Sequence, residues 1–68
     1  MIYRVWADSE SSVYAENEFT DIDTAHNWAS EFVHKFDGKN AERVILHIDD
    51  EDGETIDTVE NLNKYDIW

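Results

Sequence analysis

The sequence predicts a two-layer α+β domain of order ββαββ, with one helix packed on a four-stranded antiparallel sheet. Three observations carry that expectation. Two stretches near the N-terminus alternate apolar and polar residues with the period of a strand. The period then lengthens to that of a helix. Finally, a second pair of strand-like stretches is joined through Asp52-Gly53, a strong hairpin signal. At 68 residues the chain is expected to form a single domain, 1–68, with one small core.

Ile2 to Ala7 alternates, with Tyr3, Val5 and Ala7 on one side and Ile2, Arg4 and Trp6 on the other. Asp8 to Ser12, DSESS, is polar turn material. Val13 to Phe19 alternates again, setting Val13, Ala15 and Phe19 against Tyr14, Glu16 and Glu18, so the two strands read as a hairpin. Ile22, Ala25, Ala29, Phe32, Val33 and Phe36 then form the apolar stripe of an amphipathic helix. Thr20 and Asp23 have capping-box spacing, in which side-chain oxygens satisfy the free N–H groups of the first turn. Asp21 and Asp23 suit the positive end of the helix dipole and Lys35 the negative end. Gly38 is placed to end the helix, since glycine adopts the left-handed C-cap at least cost. Glu42 to Ile48 reads as a third strand, with Val44, Leu46 and Ile48 inward, and Thr55 to Val59 as a fourth. Residues 61–68 fit a short edge strand or a segment lying across the sheet.

One helix covers one face of a sheet. The other face is expected to carry Ile2, Trp6, Tyr14, Ile45 and His47, with Tyr65, Ile67 and Trp68 in the tail. An apolar set of this kind calls for a cover, either the tail or a second copy in a homodimer. Trp6, Tyr14, Ile45 and Trp68 are the candidate anchors for self-association or for a partner, because buried aromatics dominate binding energy.

Charge is the strongest compositional signal. Seventeen acids against five Lys and Arg give a net charge of −12. Such a field repels nucleic acid and anionic lipid, so direct binding to either is not expected. Lys35, Lys39 and Arg43 gather near the expected helix end as one mildly basic corner. With no cysteine, neither disulfides nor thiolate metal sites enter. The opening MIYRVW does not read as a signal peptide, and the longest strictly apolar run is Val44-Ile45-Leu46. A soluble, cytoplasmic protein is expected.

The densest acidic stretch, DDEDGETID, places six carboxylates in nine residues, Asp49 to Asp57. Read as a calcium loop around Gly53 it has Asp52 and Asp50 in place, but Ile48 and Val59 stand where the first and last oxygen ligands belong. A looser divalent site would draw on Asp49, Asp50, Asp52 and Glu54. Acids with a glycine also make a well-solvated turn, and that is the expected role. His26 and His34 lie eight residues apart, roughly 12 Å along a helix axis at 1.5 Å per residue, too far for one metal ion. No serine has a nucleophile-elbow context and no glycine-rich loop could cradle a phosphate. Neither an enzyme nor a cofactor is expected.

Two functional readings follow. In the first, the chain is an acidic protein-binding module, in the manner of a phage or mobile-element inhibitor, whose carboxylates imitate nucleic-acid phosphates and occupy the basic surface of a nucleic-acid-handling protein. Its contact charges are Glu16, Glu18, Asp49, Asp50, Glu51, Asp52 and Glu54. Alternate strand residues such as Glu16 and Glu18 lie roughly 6.6 Å apart on one face, so a strand can carry a charge row. In the second, the chain is a small homodimeric interaction domain whose acidity serves solubility or salt adaptation.

Overall fold

The computed structural model describes residues 1–36 and 42–61. Its elements run β1 (Tyr3–Ala7), β2 (Glu16–Phe19), α1 (Ile22–His34), β3 (Ile45–Asp49) and β4 (Thr55–Glu60). The four strands form one antiparallel sheet of order β2-β1-β3-β4, and the helix packs on one face. The α+β class and the ββαββ order expected from the sequence are what the structure has. Gly38, Lys39 and Trp68, with the rest of the tail beyond Asn61, lie outside the described residues.

The core sits between the helix and the inward positions of the sheet. Ala25, Ala29 and Val33 on α1 meet Val5 on β1 and Leu46 and Ile48 on β3, all fully buried. The two alanines let the helix approach closely, while each buried Val, Leu or Ile contributes about 1.5–3 kcal/mol. An aromatic row flanks this centre. Ring centroids of Phe19 and Trp28 are 5.6 Å apart, those of Trp28 and Phe32 5.2 Å, and those of Phe32 and Phe36 5.5 Å.

The helix ends at His34 with Lys35 as its C-cap, its N–H bonding the Phe32 and Val33 carbonyls, and not at Gly38. Three further boundaries differ from the sequence reading, each because a side chain intervenes. The helix is capped by Asp21, not by a Thr20–Asp23 box: Asp21 Oδ2 accepts the Thr24 N–H at 2.9 Å and the Thr24 hydroxyl at 3.2 Å. Asp21 has the extended backbone an N-cap requires, φ −132° and ψ 131°. β2 begins at Glu16 and not at Val13, because the chain before it is drawn to the start of β3. There Ser11 Oγ donates to the Ile45 carbonyl and accepts the Ile45 N–H, both at 2.7 Å, and the Ser12 N–H reaches the Arg43 carbonyl at 2.8 Å. β3 begins at Ile45 and not at Glu42, because Asn61 takes over the backbone groups before it.

Asn61 is the one buried polar residue among those described. Its Oδ1 accepts the Val44 N–H at 3.0 Å, and its Nδ2 donates to the Val33 carbonyl at 3.0 Å and the Glu42 carbonyl at 2.9 Å. The β3–β4 turn is a three-residue loop of the type I plus left-handed residue kind, with Gly53 at φ 86° and its N–H bonded to the Asp50 carbonyl at 3.0 Å. Asp50 Oδ1 accepts the N–H groups of Asp52 and Glu54, so this part of the acidic stretch builds its own turn.

Two pairs of substitutions test these assignments by chemical denaturation. Asn61→Ala strands the Val44 N–H and the Glu42 carbonyl, while the Val33 carbonyl keeps the Phe36 N–H. It is expected to lower the unfolding free energy by about 3 kcal/mol, whereas the exposed Asn27→Ala changes it by less than about 0.5 kcal/mol. Asp21→Ala is expected to cost about 1 kcal/mol as a lost N-cap, with Thr20→Ala near neutral. Equal losses for the second pair would restore the capping box.

Candidate functional site: the open acidic face

Strand alternation turns Val5 and Ile48 toward the helix and therefore Arg4, Trp6, His47 and Asp49 away from it. The register assembles the open face into two cross-strand rows. Glu18 on β2 lies opposite Arg4 on β1, which lies opposite Asp49 on β3, which lies opposite Thr55 on β4. The next row runs Glu16, Trp6, His47, Thr58. Carboxylates distant in the chain thus meet on one surface, with Arg4 standing between Glu18 and Asp49.

Arg4 makes an ion pair with Glu16, whose other oxygen accepts the Tyr14 hydroxyl at 2.8 Å. The Tyr14 hydroxyl and then the Arg4 guanidinium hold the Glu16 carboxyl below its usual range, and the Glu16 carboxylate pushes the Tyr14 phenol up. Asp49 Oδ1 accepts the Thr55 hydroxyl at 2.7 Å. Beyond this end of the face an open depression of about 470 Å³ is lined by Ile2, Arg4, Glu18, Asp49, Asp50, Glu51 and Gly53. Glu18 from the first hairpin and the turn acids from the second therefore share one concavity. Glu16, Asp49 and Asp50 are engaged internally. The carboxylates of Glu18, Glu51, Asp52 and Glu54 are exposed and make no hydrogen bond or ion pair with the described residues.

The second row is held differently. His47 Nε2 lies 2.5 Å from Asp8 Oδ2 and its Nδ1 lies 3.2 Å from the Thr58 hydroxyl, while the Trp6 ring packs 4.7 Å from the imidazole. The His47 ring, and next the Glu10 N–H, hold the Asp8 carboxyl below its usual range. A carboxylate–imidazole–hydroxyl chain has the order of a nucleophile relay, but among the described residues it lines neither that depression nor a second one at the helix N-terminus around Thr20 and Asp21. Here it ties β4 and β3 to the chain just after β1. The Trp6 indole N–H is buried and has no acceptor among the described residues.

The predicted anchors fare unequally. Tyr14 is 79% exposed and Trp6 is half-buried. Ile45 does lie off the helix-side cluster, yet it is only 7% exposed, so it is not an available anchor. It sits where the chain after β1 crosses to bond its backbone, through Ser11 and the Asp8 N–H. The face carries Trp6 and His47 as expected, in rows with Glu16, Glu18, Arg4 and Asp49, while Tyr65, Ile67 and Trp68 lie outside the described residues. Of the histidines, His26 pairs with Asp57 at 3.2 Å and His47 with Asp8. Among the described residues no three His, Asp or Glu side chains are grouped to hold a metal ion, and no helix is long and apolar enough to cross a membrane. Sequence reasoning missed Asp8 and Asn61, whose roles depend on contacts with no local signature.

The fold and face define a small ββαββ chain with an acidic open sheet. No protein-family model, no curated protein and no solved structure matches it.

The depressed carboxyls set a sign for pH dependence. Asp8 and Glu16 ionise more readily folded than unfolded, so their contributions are full above the unfolded pKa and fade as pH falls through the folded one. General acidification also relieves repulsion among the other acids, so the informative quantity is a difference. The stability advantage of wild type over Asp8→Asn is expected to shrink as pH drops below the ordinary value of 3.8. An advantage that stays constant from neutrality to pH ~2 would remove the Asp8–His47 contact from the account.

Proposed function

We propose that this chain is a non-enzymatic, cytoplasmic binding module that inhibits a nucleic-acid-handling protein by seating its acidic open face in that protein's basic groove. The observation that supports the reading is the convergence of Glu18 with Asp49, Asp50 and Glu51 around one concavity, with Asp52 and Glu54 exposed on the same turn. Glu18 and Asp49 stand two strand spacings apart, roughly 10 Å, on a face that the helix leaves open. Rows of fixed charge at strand spacing are a rigid substitute for phosphates, and lysines and arginines gathered to neutralise phosphates would meet them. Glu18, Glu51, Asp52 and Glu54 carry the contact. Asp49, Asp50 and Glu16 hold the scaffold, and Tyr14 and Trp6 supply aromatic surface at the margin.

The test combines charge removal with competition. Partners captured from a bacterial lysate on the immobilised protein are eluted along a salt gradient, with and without duplex DNA. The reading expects a nucleic-acid-handling protein whose binding falls steeply with salt and is competed by the duplex. It also expects at least about tenfold weaker binding by the variant Glu18→Gln/Glu51→Gln/Asp52→Asn/Glu54→Gln, or about 1.4 kcal/mol. A partner that holds the variant equally well and ignores DNA would refute it.

A further inference from the structure

The two outer strands each break the inward apolar pattern at one position. Asn17 on β2 lies opposite Val5, and Asp57 on β4 lies opposite Ile48; both opposing residues are completely buried. An apolar residue would complete the core there. Instead each side chain turns back onto the backbone of its own strand. Asn17 Oδ1 accepts the Glu18 N–H and Asp57 Oδ1 accepts the Thr58 N–H, both at 2.8 Å.

Those two N–H groups face outward. Hydrogen-bonded and non-bonded pairs alternate along an antiparallel ladder. The Ala7 N–H bonds to the Ala15 carbonyl and the Asn61 N–H to the Val44 carbonyl, which sets the phase at each edge. Counting by twos, Asn17 and Asp57 bond inward, while the backbone groups of Glu18 and Thr58 point to the outer edges, unpaired among the described residues. Each capped N–H is therefore one that an added strand would have to use. Asp57 is also fixed from the other side, its Oδ2 lying 3.2 Å from His26 Nε2 on α1.

We propose that Asn17 and Asp57 are edge guards, which keep a second copy of this chain from extending the sheet. The need is greatest at β4. Its sequence TIDTVE is two-thirds β-branched, it is exposed along nearly its whole length, and Ile56 is 48% exposed. A strand added there must strip Asp57 from the Thr58 N–H and cover an inward-pointing carboxylate, which costs desolvation as well as the cap. The register shift at Ile48/Asp49 adds a second, weaker obstacle by twisting the strand. Net charge also opposes self-pairing, but salt screens that repulsion and leaves the guards in place.

Sedimentation of the full chain in about 1 M salt, where the Debye length is about 3 Å, isolates the guards from the overall charge. Wild type and Asp57→Asn, which keeps the Oδ1 acceptor, are expected to stay monomeric. Asp57→Ala is expected to self-associate at least tenfold more tightly, with faster exchange of the Thr58 amide in dilute solution. Asn17→Ala carries the same test on β2 should Asp57→Ala lose its helical signal by circular dichroism. Folded Ala variants that stay as monomeric as wild type, or Asp57→Asn pairing as readily as Asp57→Ala, would overturn the proposal, as would a wild type already paired through β4.

Discussion

Asn61 holds together the parts of the fold that strand pairing does not reach. Its amide is completely buried and joins the end of α1, the connection after it and the approach to β3 through the Val33 carbonyl, the Glu42 carbonyl and the Val44 N–H. A helix end buried without partners leaves carbonyls unmet, and a small core has little margin to absorb that cost. No apolar residue could supply a donor pair and an acceptor at one point. The sheet supplies layers, but this side chain sets where the helix sits on them.

That placement decides what the other face is. Because one helix covers one layer, every residue that alternation turns away from α1 belongs to a surface of its own. The register then brings Glu18 and Asp49 to either side of Arg4. Arg4 is the only Lys or Arg among the described residues of the four strands, and its pair with Glu16 neutralises one carboxylate while leaving Glu51, Asp52 and Glu54 exposed. An acidic surface on a small domain works against its own compactness. Here the strain is spread over internal hydrogen bonds, from Tyr14 to Glu16, from Thr55 to Asp49 and from the turn backbone to Asp50. Outer strands that carry polar residues at inward positions complete the division, since the sheet then presents a face and not an edge.

Local periodicity made the helix and the strands legible, because a stripe at helical spacing or an apolar alternation is a property of neighbouring residues. The cap was half-legible: Thr20, Asp21 and Asp23 all suit a first turn, and spacing does not say which carboxylate or hydroxyl reaches Thr24. Alternation carried on through Val13 to Ala15, yet Ser11 and Ser12 bond to Ile45 and Arg43, so the paired strand starts later. Alternation puts Ile45 on the side it occupies, but its burial depends on what crosses over it. Register is the larger gap, since nothing in either acidic stretch records that they flank one arginine. Asn61 was the least legible of all, because a polar residue after a strand reads as surface until three backbone partners are seen around it.

Amide hydrogen exchange at Val44 tests the central claim most directly. Val44 precedes β3 and its N–H is bonded to the Asn61 side chain, not to a neighbouring strand. If Asn61 fastens helix and sheet, this amide opens only with the whole molecule and is as protected as that of Leu46 in the core. Exchange at the rate of an exposed loop, with Leu46 still protected, would contradict the account and return Asn61 to the surface.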